Sequence, residues 1–124
     1  MQAPDATAVV ESYLDAVVAR EHERVRGLLA DRGFVYDSPI ARFSCADDYV
    51  QYLALTSAIL RRIERRHAFA DGDDVCHWLV IETQLSERVA THAAQWARVA
   101  DGRICFLEML FDPYRYRLLF EVQD

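Results

Sequence analysis

The apolar residues of this 124-residue chain change their spacing near residue 60. Up to that point they recur at three- and four-residue steps. Beyond it they alternate with polar residues every second position. A chain patterned this way can bury its apolar groups as helices first and as antiparallel strands afterwards. The expected fold is therefore α+β, with three N-terminal helices packed on one face of a strongly curved, mostly antiparallel sheet. A helix layer leaning on a bent sheet leaves a cone with an apolar pocket.

The segments follow from that pattern. "TAVVESYLDAVVAR" places Val10, Tyr13, Leu14 and Val17 on one helical stripe. "ERVRGLLAD" reads as a second, short helix, and Phe34 to Asp37 as a brief strand. Ser44 with Asp47 three residues on is a capping-box signature. It opens a helix in "CADDYVQYLALTSAIL", with Val50, Leu53, Ala54 and Ser57 facing the core. "RIERRHAFA", "VCHWLVIET", "VATHAAQWARVA" and "ICFLEMLF" read as long strands, the last two joined by the tight turn signal Asp101-Gly102. "YRYRLLFEV" reads as a short C-terminal strand or an ordered tail. The chain shows no repeat, linker or low-complexity segment, so residues 1–124 are expected to form a single domain.

Composition narrows the chemistry. All 14 basic residues are Arg, which excludes Schiff-base, phosphate-loop and general-base lysines. A net charge of −6 argues against a nucleic-acid partner. Cys45, Cys76 and Cys105 form no C-x-x-C pair and are read as reduced apolar residues. The four His show no metal-ligand spacing, so neither metal nor cofactor is expected. With no apolar run of membrane-spanning length and no basic leader, the expected location is the cytoplasm, away from membranes. The long strands are apolar on both faces, Trp78 and Trp96 included. A sheet with one face in a pocket needs a cover for the other, so a homodimer through the outer face is expected.

Two residues carry the functional question. Tyr13 sits on the apolar stripe of the first helix, and Asp37 ends the first short strand in "FVYDSPI". Taken locally, an Asp before Ser-Pro is a turn former, and a Tyr on such a stripe is a core residue. The order of elements from about Ala8 to Phe111 resembles the nuclear transport factor 2-like superfamily, the group of ketosteroid isomerases and SnoaL-like polyketide cyclases. "AVVESYLDAV" looks like the helix that carries the oxyanion-hole tyrosine of those isomerases, and "VYDSP" like the strand end that carries their general base. Tyr13 and Asp37 fall on those two positions, 24 apart as in the family. The family's second oxyanion donor is an aspartic acid held protonated. Gln95 occupies its place here, and an amide can donate without any change of protonation.

The resemblance implies an isomerase or cyclase of secondary metabolism. Asp37 would abstract a proton beside a carbonyl while Tyr13 and Gln95 hold the developing enolate oxygen. Asp37 would lack a counter-charge, since no Arg adjoins it on its strand. Tyr52, Leu107, Met109 and Phe111 would line the substrate pocket, with Cys105 on the same strand face. The substrate would be an apolar, polyketide- or steroid-like molecule. Asp112, before Pro113, is either a turn residue or a reserve acid of the kind used by epoxide-opening and cyclase relatives. The alternative is a non-catalytic ligand-binding or dimerisation module of the same fold.

Overall fold

The computed structural model describes residues 5–120, with side chains to residue 117. Three helices, α1 (Ala6–Ala19), α2 (His22–Gly27) and α3 (Ala46–Thr56), are interrupted only by two short strands, β1 (Val35–Asp37) and β2 (Arg42–Phe43). Four long strands follow: β3 (Leu60–Asp71), β4 (Asp74–Gln84), β5 (Arg88–Ala100) and β6 (Arg103–Leu110). A last helix, α4 (Tyr114–Phe120), closes the described chain. The strands form one curved, unclosed sheet in the order β2-β1-β6-β5-β4-β3. The hairpin strands pair antiparallel with their sequence neighbours, as short connections require. β1 pairs parallel to β6, Tyr36 opposite Leu107, and so brings the N-terminal third of the chain to the middle of the sheet.

The hairpin between β5 and β6 turns on Asp101 and Gly102, both with positive φ (54° and 76°). That is the backbone a two-residue turn needs to follow the strand twist, and it matches the Asp-Gly signal. One irregularity lies just beyond it. A register shift between Arg98 and Val99 breaks the simple alternation of β6. Ile104 and Leu107 are both fully buried, while Cys105 is only half-buried and lies within 3.5 Å of the Arg98 carbonyl. The strand face shared by Cys105 and Leu107 in the sequence pattern is thus split by the bulge.

The core lies between the inner face of the sheet and α1. Val10, Leu14 and Ala16 meet Val75, Leu79 and Ala97 there, all at or below 2% exposure. Burial of this kind contributes roughly 1.5–3 kcal/mol per large aliphatic side chain. The outer face is apolar but uncovered: Phe69, Trp78, Trp96 and Leu110 are 40–65% exposed.

Three local expectations are corrected. The C-terminal segment begins as a helix, because Asp112 accepts a bond from the Tyr114 amide (3.1 Å) and so starts a turn that the Arg117 N–H to Pro113 carbonyl bond continues. The part of that segment after Phe120 lies outside the described residues. The capping box at Ser44 is not formed: Cys45 is the N-cap of α3, and no side chain bonds the free amides there. Ala54 faces solvent, because α3 is rotated so that Ala46 and Tyr49 are its buried residues.

Candidate functional site

The concave side of the sheet, α1, α3 and α4 line a partly open cavity of about 150 Å³. Each wall follows from the local pattern of its element. From α1 come Tyr13, Leu14 and Val17, the last one turn beyond the first two on the stripe that faces the sheet. From α3 come Tyr49, Tyr52, Leu53 and Thr56, which share one face at three- and four-residue steps. The strands contribute alternate residues: Leu79, Ile81 and Thr83 from β4, and Thr91 and Gln95 from β5.

The polar groups of the wall are hydroxyls, the Gln95 amide and the His22 imidazole. The Tyr13 and Tyr49 hydroxyls are hydrogen-bonded to each other. Tyr49 is also stacked on Tyr36 (centroids 4.3 Å apart), which fixes its ring. On the far side, the Tyr116 hydroxyl lies 3.0 Å from Thr83 Oγ1 and 2.7 Å from Thr91 Oγ1, so α4 is pinned to the sheet by a three-hydroxyl cluster. Gln95 is 2% exposed, and its amide nitrogen has no hydrogen-bond partner among the described residues. His22 also reaches the wall, and its Nε2 is likewise buried without a partner. Among the described residues, none that lines the cavity is an Asp, Glu or Arg.

Five of the eight site residues expected from the sequence converge here: Tyr13, Gln95, Tyr52, Met109 and Phe111. Three do not. Leu107 is fully buried beneath the wall, opposite Tyr36 and Ala97, and serves the core. Asp112 is exposed and holds the first amide of α4. Asp37 is not part of the wall, because strand alternation gives the inner face to its neighbour Tyr36. Nor does it lack a counter-charge. Arg42, its partner across the β1–β2 pair, lies 3.8 Å away with both side chains well exposed, a geometry that contributes little to stability. Tyr49, Tyr36 and Tyr116 were not anticipated as site residues. The signal for Tyr49 was the Tyr49–Tyr52–Thr56 face of α3, which competed with the more apolar Val50–Leu53–Ala54–Ser57 choice.

Burial sets the electrostatics. Desolvation raises the Tyr13, Tyr36 and Tyr49 hydroxyls above the ordinary tyrosine pKa. The same cause acts more weakly on half-buried Tyr52.

No family model matches the chain, and no curated protein is similar to it in sequence. Solved structures do share its fold. An NTF2-like protein of unknown function from Cytophaga hutchinsonii aligns with a TM-score of 0.80 at 17% identity, over 94% of this chain and 96% of that one. An LEH-like epoxide hydrolase from M. tuberculosis aligns with a TM-score of 0.78 at 23% identity, over 88% and 84%. A putative polyketide cyclase from Xanthomonas campestris aligns with a TM-score of 0.75 at 16% identity, over 90% and 93%.

The buried phenols predict an alkaline signature. Each holds its proton more tightly folded than unfolded, so it stabilises the fold fully below the ordinary value near 10. That stabilisation fades as pH rises past about 10 toward the higher folded values. In a spectrophotometric alkaline titration, Tyr13, Tyr36 and Tyr49 should ionise only as the circular dichroism of the fold is lost. Ionisation of these three at about pH 10 in the intact fold would contradict the buried placement.

Proposed function

Within the nuclear transport factor 2-like fold, we propose that the cavity binds a compact, uncharged, largely apolar molecule that presents a hydrogen-bond acceptor, such as a carbonyl oxygen. The observation that carries this reading is the Tyr13–Tyr49 pair. Two phenols have two protons, and one is used between them. The second has no other partner recorded among the described residues, so it is available to a ligand. Among the described residues the wall holds no carboxylate or guanidinium group, so apart from the His22 imidazole it offers a charged ligand no compensation for its desolvation. A cavity of about 150 Å³ suits one ring, since an apolar cavity of about that size accommodates benzene. A steroid or a long polyketide would have to extend beyond it.

The binding reading is tested with acetophenone, by calorimetry. Acetophenone should bind, benzoate should not, and the double variant Tyr13→Phe/Tyr49→Phe, which removes both phenol protons, should weaken acetophenone by about five- to tenfold, the loss of one net hydrogen bond of roughly 1–1.5 kcal/mol. Equal affinity for benzoate and acetophenone would sink the reading.

A second reading is an enolising isomerase or cyclase with Asp37 as base and Tyr13 and Gln95 as oxyanion donors. It is favoured by the joint presence of Tyr13 and Gln95 on one wall, with Asp37 directly following wall residue Tyr36. It requires Asp37 to leave Arg42 and turn inward. An Asp37→Asn variant that isomerises cyclohex-3-enone as fast as the parent would remove it. The epoxide-opening alternative through Asp112 has less support, since that carboxylate is occupied at the start of α4.

For the outer sheet face we propose a second copy of the chain as cover. Trp96 packs edge-on against Phe106 (5.0 Å) and Trp78 lies one strand away, so exposed aromatic surface spans three neighbouring strands. Sedimentation at micromolar concentration should give a dimer mass, and Trp78→Glu should give a monomer with an unchanged circular dichroism spectrum. A monomeric parent would overturn this assembly.

A further inference from the structure

A buried histidine outside the cavity wall bears on what the cavity can bind. His77 is 0% exposed, on the inner face of β4. Its Nε2 lies 3.3 Å from Glu11 Oε2 of α1, and its Nδ1 has no partner among the described residues. Directly across the β4–β5 pair stands Gln95, the wall residue whose amide nitrogen is also buried without a partner. Cross-strand residues in register have Cβ atoms only about 4.5–5.5 Å apart on the same face. Two residues that each carry an unpartnered buried polar atom thus face each other across the strand pair, and each such group costs about 1–3 kcal/mol if left unsatisfied.

We infer that His77, oriented by Glu11, is a positioning residue that turns the Gln95 amide nitrogen away from the cavity and leaves the amide oxygen to meet the ligand. The chemistry runs in one direction. An ionised Glu11 carboxylate only accepts, so the His77 nitrogen facing it carries the proton. In a neutral imidazole the other nitrogen, Nδ1, is then an acceptor. The nearest unused donor by register is the Gln95 amide N–H, and a small adjustment of that side chain satisfies both atoms. Glu11 is itself held in place: its carbonyl accepts from Arg65 Nη2 (3.4 Å), and Arg65 also pairs with Asp15 one turn on, so this face of α1 is tied to β3.

The consequence deepens the binding reading above, on which its ligand part rests. The cavity then offers one phenol donor from the Tyr13–Tyr49 pair and one amide acceptor from Gln95. It fits a one-ring molecule with both an acceptor and a donor, a hydroxy-ketone or an enol, better than a plain ketone. Gln95 would meet the ligand as acceptor and not as a second oxyanion donor.

Two measurements test this. In the ligand-free protein, nitrogen-15 NMR of the histidine rings, with His77 assigned by its loss in His77→Gln, should show a neutral His77 protonated at Nε2. Protonation at Nδ1, alone or with Nε2, overturns the proposal, because Gln95 would then have to present its oxygen to His77. In calorimetry, 4-hydroxyacetophenone should bind about fivefold tighter than acetophenone, the worth of one added hydrogen bond. His77→Phe should erase that preference while leaving acetophenone affinity unchanged, and His77→Gln, which keeps an acceptor, should restore it. A preference that persists in His77→Phe overturns the proposal. Should His77→Phe fail to fold, the tautomer alone decides. Should neither ketone bind the parent, the binding reading falls, and the tautomer still decides the His77–Gln95 pairing.

Discussion

A phenol carried into an apolar layer must find a hydrogen-bond partner there, or its burial is costly. Tyr13 is carried in by α1, whose stripe has no other place to go than the concave face of the sheet. Its partner has to come from another element, and α3 supplies it as Tyr49. That bond accompanies a rotation of α3 that puts Tyr52 and Thr56 on the cavity side and turns Ala54 to solvent. The stacking of Tyr49 on Tyr36 then ties the helix pair to β1, and β1 to β6. Wall and fold are thus built from the same contacts, and the unshared proton of the phenol pair is a by-product of packing that a ligand can use.

The fold was legible because period carries it. A stripe such as Val10–Tyr13–Leu14–Val17 and alternations such as "VCHWLVIET" state helix and strand without reference to the rest of the chain. The Asp101-Gly102 turn was legible because only a narrow set of residues tolerates two positive φ angles in succession. Less was legible where tertiary contacts decide. The bulge at Arg98/Val99 moves Ile104 inward through a register shift that no local pattern announces. The C-terminal segment alternates like a strand, yet Asp112 and Pro113 start a helix that Tyr116 anchors to Thr83 and Thr91.

For the site, residue identity was legible and orientation was not. Tyr13 and Gln95 could be placed on the wall because both sit on elements whose inward face is obvious from apolar neighbours. Asp37 ends a three-residue strand, too short for alternation to be read, and the inward position goes to Tyr36. Its partner Arg42 is five residues away in sequence but adjacent across a strand pair, so the counter-charge was invisible to a search along the strand itself. His77 shows the same limit. Its importance comes from Glu11 and Gln95, 66 and 18 positions away, brought together only by α1 on β4 and by the β4–β5 register.

The phenol pair and its apolar surroundings are the proposed ligand site. A crystal structure of the protein soaked with acetophenone tests this most directly. The ring is expected among Leu79, Ile81 and Met109, with the carbonyl oxygen within hydrogen-bond distance of Tyr13 or Tyr49. Acetophenone bound on the outer face beside Trp78 and Trp96, with the cavity left as it is, would contradict it.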